Sequence, residues 1–334
     1  MTRKQALGEA DRRLARLTRI AALTLVLGVI VVGVAYFVDQ RSDAGPTLAD
    51  RRVAAADAAV KKDPNNAGLR LALALAMQAD GRVDEALDQF TQVIAVQADN
   101  KVALNAKAGI LVDRGDLAGA QPLYQKVVDV AKGGEFAGMD TELEQAYYGL
   151  ATIAMKQSRP SDAVTSLEAA VKIGGTDADA WYLLGQAQLA AGSPDKAVSA
   201  EQNAVAFVPL GWGDPYKVMA DAYTAQGKPE LAEYANAMVD VTASRYEQAR
   251  QRLTALTGGP AALQAFVGLG LLEEMQGDTQ AAVDAYRRAV ALDASNFTAK
   301  SGLARLTGGA AGSEAPSGAP ASASPAAPTA TAGA

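Results

Sequence analysis

A chain of 334 residues that is 49% hydrophobic and 20% charged has apolar material for one large core or two smaller ones, which rules out a wholly disordered protein. Its 74 alanines against 5% aromatics favour helices packed closely through small side chains and argue against an all-β fold. Cys and His are both absent, which excludes disulfides, Cys/His metal sites, thiolate nucleophiles and every Ser-His or Cys-His catalytic pair.

The net charge of −6 is split unevenly along the chain. Residues 1–19 carry Arg3, Lys4, Arg12, Arg13, Arg16 and Arg19 against Glu9 and Asp11, a balance of +4, so the remainder sums to −10. An acidic body lacks the basic face that phosphates require, and no nucleic-acid partner is expected. Residues 20–38 follow without a charge, and twelve of these 19 are Leu, Ile, Val or Phe. As a helix they would span roughly 28 Å, close to the thickness of a bilayer's hydrocarbon core. The expectation is an uncleaved transmembrane signal anchor. A signal peptide cleaved after Gly33-Val34-Ala35 is the competing reading, disfavoured because Tyr36-Phe37-Val38 continues the apolar run past that site. The excess of positive charge before Ile20 places residues 1–19 in the cytoplasm and the chain beyond a 39–46 linker outside it, on a single-pass protein of the cell's inner membrane.

From residue 47 the chain repeats itself. Gly81, Ala86 and Phe90 recur as Gly115, Ala120 and Tyr124, each 34 residues later, and Ser158 and Ala163 recur as Gly192 and Ala197. A period of 34 corresponds to two antiparallel helices per unit. Thr47 to Lys62 reads as an unpaired second helix capping one end of the array, and Phe297 to Leu306 as an unpaired first helix at the other. Between Ala120 and Ala163 the interval lengthens to 43, the excess lying in a Gly-rich surface loop, Lys132 to Asp140, closed by a capping box at Thr141-x-x-Glu144. Between Ala232 and Ala282 it is 50. An apolar stripe from Leu231 to Leu256 without Gly or Pro predicts one long helix over 230–257, with a break near Thr242 to Ser244 as the alternative. Glu201 and Gln188 occupy positions that are aromatic elsewhere in the pattern, which predicts looser packing in the unit that contains them. Residues 307–334, rich in Gly, Ala, Ser and Pro with Glu314 as the sole charge, bury too little apolar area to offset ordering entropy and are expected to be disordered.

The pattern resembles the tetratricopeptide repeat (TPR) family. Trp181-x-x-Leu184-Gly185 with Gly192, Ala197 and Pro209 is the best match. Phe266-x-x-Leu269-Gly270 with Gly277, Ala282 and Tyr286 comes next, then Tyr216-x-x-Met219-Ala220-x-x-Tyr223 with Gly227 and Ala232, and Tyr147-x-x-Leu150-Ala151 with Ala163 and Leu167. Units beginning at Ala67 and Lys101 bring the number to about six, over residues 47–306. The resemblance implies an all-α, right-handed superhelix of antiparallel helix pairs, with a concave groove lined by the first helix of each pair. At the family's groove positions this chain offers Asn105, Tyr148, Thr152, Tyr182, Gln186, Leu189 and Lys217. Such a middle reads as neutral and partly aromatic, suited to an amphipathic helix or extended apolar segment of a protein partner. Packing between neighbouring repeats is the alternative use of the same residues.

No catalytic, cofactor or metal site is expected. The acidic pairs Asp84-Glu85 and Asp177-x-Asp179 lie at helix N-termini, where negative charge is favourable for structural reasons. Gly268-x-Gly-x-x-Glu273 falls inside a helix that follows no strand, the wrong setting for a dinucleotide. The sequence therefore reads as a membrane-anchored scaffold that binds proteins through its groove and assists assembly or chaperoning of envelope or membrane complexes, with small-molecule ligands not expected. A cytoplasm-facing adaptor and a carboxylate-based enzyme on a helical scaffold are the alternatives.

Overall fold

The computed structural model describes residues 32, 47–207 and 211–308. The expected anchor at 20–38, the linker and the tail beyond Gly308 lie outside the described residues. Among the described helices none is long and apolar enough to cross a membrane. The chain divides into two compact units, Met1–Val130 and Ala131–Ala334.

The first unit contains α1 (Leu48–Lys62), α2 (Ala67–Ala79), α3 (Val83–Val96) and α4 (Lys101–Asp113), and α5 (Leu117–Ala131) ends at its boundary. Thr47 caps α1 in a capping box with Asp50, satisfying two backbone donors that a helix start leaves open. Its core gathers Val53, Val60, Leu73, Met77, Phe90 and Val93 around the small Ala74, Ala86 and Ala103.

The second unit opens on a short 3-10 turn, Ala137–Met139, within the expected loop. There follow α6 (Thr141–Lys156), α7 (Pro160–Ile173), α8 (Ala178–Ala190), α9 (Pro194–Phe207) and α10 (Asp214–Ala225). The unit is completed by α11 (Pro229–Thr242), α12 (Tyr246–Leu256), α13 (Ala262–Gln276), α14 (Thr279–Leu292) and α15 (Phe297–Thr307). Each helix packs on the next. Two cores result, one around Ala151, Leu167 and Leu184, the other running from Ala197 through Met219, Met238, Leu253 and Tyr286 to Ala299.

Local chemistry separates the two kinds of helix. Several first helices (α2, α4, α6, α8, α15) start at an Asn or Asp whose side chain accepts a backbone N–H of the first turn. Asp140, rather than Thr141, performs this at α6, because the helix starts one residue earlier than a Thr141 cap requires. Second helices α7, α9 and α11 begin with proline, whose missing N–H costs nothing at that position. At each turn from first to second helix a left-handed residue is followed by an N–H that bonds five residues back. These bonds are Arg82 to Met77, Asp116 to Leu111, Arg159 to Ala154, Ser193 to Gln188, Lys228 to Tyr223, Arg245 to Asp240 and Asp278 to Glu273, all 2.8 to 2.9 Å. The left-handed residue is Gly81, Gly115, Gly192, Gly227 or Gly277, but Ser158 and Ser244 at the other two.

The single long helix over 230–257 is therefore corrected to two helices, with the break at Ala243 to Arg245. Asp240, 4% exposed, pairs with Arg245 at 2.6 Å and Arg252 at 3.1 Å. Both arginines lie across the turn, so bending the chain there gives the buried carboxylate its counter-ions. The turns at Gly227 and Ser244 are separated by one helix only. As a consequence α11 starts as a second helix to α10 and ends as a first helix to α12, and it buries small residues on two faces, Ala232 and Ala235 beside Ala237 and Val241.

Candidate functional site

The first helices α6, α8 and α10 of the second unit lie in succession, α6 against α8 and α8 against α10. Tyr148 of α6 is half-buried and packs in part on the core shared with Leu184. Burial raises its hydroxyl pKa, and Asp179 and Asp177 of α8 add to the effect. Tyr182 of α8 stands edge-on to Trp212, ring centroids 5.0 Å apart at 64°, a favourable arrangement of aromatic quadrupoles. Its hydroxyl pKa is likewise raised, first by burial, then by Asp214 and Glu201, with Lys217 and a hydrogen bond from Gln186 opposing. Each tyrosine thus meets acids on the next first helix.

Of the groove residues read from sequence, Tyr182, Gln186 and Lys217 come together, with Lys217 held by Asp214 at 2.7 Å. Tyr148 stands over the neighbouring stretch. The Thr152 hydroxyl donates to the Tyr148 carbonyl of its own helix at 3.0 Å. Leu189 packs partly into the core around Met219. Asn105 belongs to α4 of the first unit and is only 2% exposed.

The expected neutral lining is corrected. A cavity of about 410 Å³ beside Tyr148 is lined by Thr141, Glu142, Glu144, Gln145, Asp177 and Asp179, so four acidic residues share that cavity with the tyrosine. Burial and then Asp177 raise the Glu144 pKa. Its carboxylate rests against Gly174, where a Cβ would overlap it. The acids were legible in the sequence only as features of helix N-termini; the stacking of α8 on α6 adds them to one surface. Trp212, which sequence spacing did not single out, is one of two tryptophans and sits between Gly211 and Gly213, a short segment that turns its ring onto Tyr182.

The expected loose packing of the fourth repeat takes a definite form. Glu201 is fully buried and neither carboxylate oxygen has a hydrogen-bond partner. Gly185 leaves the space it fills, since a Cβ there would overlap the carboxylate. Desolvation pushes its pKa up to about 9, so it is a neutral acid at neutral pH. Gln188 is also buried with its Oε1 unsatisfied.

Antiparallel helix pairs with a repeated turn and small residues at their crossings define a helical-repeat protein. The profile of the family described as tetratricopeptide repeat matches residues 71–135, 148–215 and 234–297, more than half of the chain, and the chain belongs to that family. The fold is that of a protein-interaction scaffold. The third match begins inside α11 and runs to the first residue of α15, leaving most of α10 uncovered. A protein of Sinorhizobium fredii, y4yS, is 33% identical over 90 residues, which is 27% of this chain and 50% of that protein. The chain thus spans about half the length of the curated relative it matches.

Solved structures are similar in fold. YrrB, described as a TPR protein with an unusual peptide-binding site, is 18% identical over 58% of this chain and 95% of that one, TM-score 0.49. MamA from Desulfovibrio magneticus is 21% identical over 54% and 97%, TM-score 0.47. A tetratricopeptide repeat protein from Parabacteroides merdae is 16% identical over 76% and 90%, TM-score 0.42.

Proposed function

We propose that this chain is a membrane-anchored TPR scaffold whose repeats, outside the cytoplasm, hold a protein partner on the first-helix face of α6, α8 and α10 and so assist assembly or chaperoning of envelope or membrane complexes. The observation that carries the binding face is the half-buried Tyr182–Trp212 pair with Tyr148 nearby. Rigid aromatic surface of this kind dominates binding energy at interfaces. The anchor rests on the uncharged residues 20–38 behind a +4 flank. The carboxylates of Glu142, Glu144, Asp177 and Asp179 beside Tyr148 favour a partner segment that brings positive charge alongside its apolar residues.

The test is capture of partners by the full chain from its own membranes, compared with the Tyr148→Ala, Tyr182→Ala double variant. Capture of the same partner should weaken by at least about tenfold, roughly 1.4 kcal/mol, while the helical signal and melting stay close to the parent. Undiminished capture at unchanged stability would place the binding surface elsewhere. A lowered melting temperature would assign both rings to packing between repeats.

A further inference from the structure

The second unit departs from the repeat in two places, and each departure leaves apolar surface without a partner. The first is the loop Lys132 to Asp140, which is a run of tight turns: Gly134, Ala137 and Met139 donate N–H bonds of 3.0, 3.1 and 2.9 Å to the carbonyls of Ala131, Gly134 and Phe136. Residues three apart in such turns lie one above the other, so Phe136 and Met139 share a side. Ala137 and Gly138 line a cleft with Thr165 and Glu168 of α7, while Phe136 is left 65% and Met139 72% exposed. Two large apolar side chains held together in solvent form a knob that marks an interaction site.

The second departure is α11, which serves two pairs and interrupts the stacking of first helices. Helix α6 touches α8, α8 touches α10, α11 touches α13 and α13 touches α15, but α10 has no comparable neighbour on its far side. Beside it lies a cavity of about 470 Å³ walled by α9, α10, α11, α13 and α15. Tyr216, Tyr223, Tyr234 and Phe297 give it aromatic walls, and Val267 and Leu271 add apolar surface. A cavity of roughly 150 Å³ suffices for a benzene ring, so this one takes a phenylalanine ring with a methionine beside it.

We propose that the Phe136–Met139 knob of one chain docks in this cavity of a second copy. A chain cannot fill its own cavity with its own knob, because the loop packs beside α6 and α7 and none of the helices that wall the cavity touches it. Ring edges and a thioether are favourable neighbours for tyrosine faces. Charge is complementary as well. Exposed Glu135 flanks the knob, and Arg305 is the one charged residue in the described cavity wall. Glu274 holds Arg305 through Nε and Nη2, both at 2.7 Å, which leaves Nη1 to meet a further acceptor. Since every chain offers both parts, the contact either closes reciprocally in a pair or continues from chain to chain.

The absence of cysteine allows a direct test in the full chain. Gly138→Cys, where a Cβ meets open space beside the knob, is placed in one chain, and Ser301→Cys, in the cavity wall, in a second chain distinguished by a tag. The two are mixed and treated with a short bismaleimide, and each thiol's rate with a monofunctional maleimide is divided out. Docking predicts that they link at least about tenfold faster than Gly138→Cys links to Gln280→Cys, an exposed position outside the cavity wall. Adding Phe136→Ser and Met139→Ser to the first chain should abolish that preference without changing its melting, since both side chains are exposed. Thr298→Cys, also in the wall, carries the same expectation should Ser301→Cys fail to fold. Light scattering should show the mass of the parent rising with concentration, and the Phe136→Ser, Met139→Ser variant should need at least about tenfold more protein for the same rise. Equal linking rates at Ser301→Cys and Gln280→Cys, a preference that survives loss of the knob, or a parent mass independent of concentration would each overturn the proposal.

Discussion

Replacing Glu201 by Gln separates the cost of burying an acid from the shape of the site it fills. The carboxylate is fully buried beside Gly185 without a hydrogen-bond partner, and its pKa stands at about 9 against an ordinary 4.5. Below 4.5 both the folded and the unfolded chain hold the proton, and ionisation costs the fold nothing. Between 4.5 and about 9 the unfolded chain has lost that proton while the folded chain keeps it, so stability falls by about 1.4 kcal/mol per pH unit. At pH 7 the accumulated loss is about 3 kcal/mol, a large part of a typical domain's stability. Glutamine has nearly the same shape and an equally unpaired amide but does not ionise. Urea unfolding followed by circular dichroism should therefore find the two proteins equal near pH 4.5 and the Glu201→Gln variant progressively more stable above it. The gap should stop growing near pH 9, where the folded parent releases its own proton. Parallel stability profiles over that range would refute the account, because they would mean that water or a partner group solvates the carboxylate.

Ser244 holds a left-handed backbone, φ 60°, at the turn between α11 and α12; Ser244→Gly should stabilise the chain by about 0.5 to 1 kcal/mol in the same unfolding assay, and a destabilisation would mean that its side chain anchors the turn. Gly270 lies against the fully buried ring of Tyr286, where a Cβ would overlap ring carbons; Gly270→Ala should cost about 1 to 3 kcal/mol, and unchanged thermal unfolding would show that the ring can move aside. A reporter active only outside the cytoplasm should work when fused after residue 306 and lose that activity in part when Arg12, Arg13, Arg16 and Arg19 are made neutral; cytoplasmic activity of the unaltered fusion would reverse the proposed orientation.

Sequence alone determined the class of fold because each repeat's information is local. A turn residue, an alanine five residues on and a bulky residue nine residues on recur as Gly81, Ala86, Phe90 and as Gly277, Ala282, Tyr286, and helix caps depend on neighbours within one turn. The same signal also marked the break that an apolar stripe concealed, since Ser244, Ala249 and Leu253 repeat the spacing of Ser158, Ala163 and Leu167. It was obscured because a serine stands in the glycine position and because the interval from Gly227 is half a period. What only the tertiary structure decided involves groups from different helices. Acids at the start of α8 become part of a site when α8 stacks beside Tyr148, and Trp212 becomes a partner of Tyr182 when its segment turns back over α8. Glu201 is an ordinary helical residue until Gly185 and its neighbours close over it. Distances of that kind depend on how helices cross, which no spacing along one helix records.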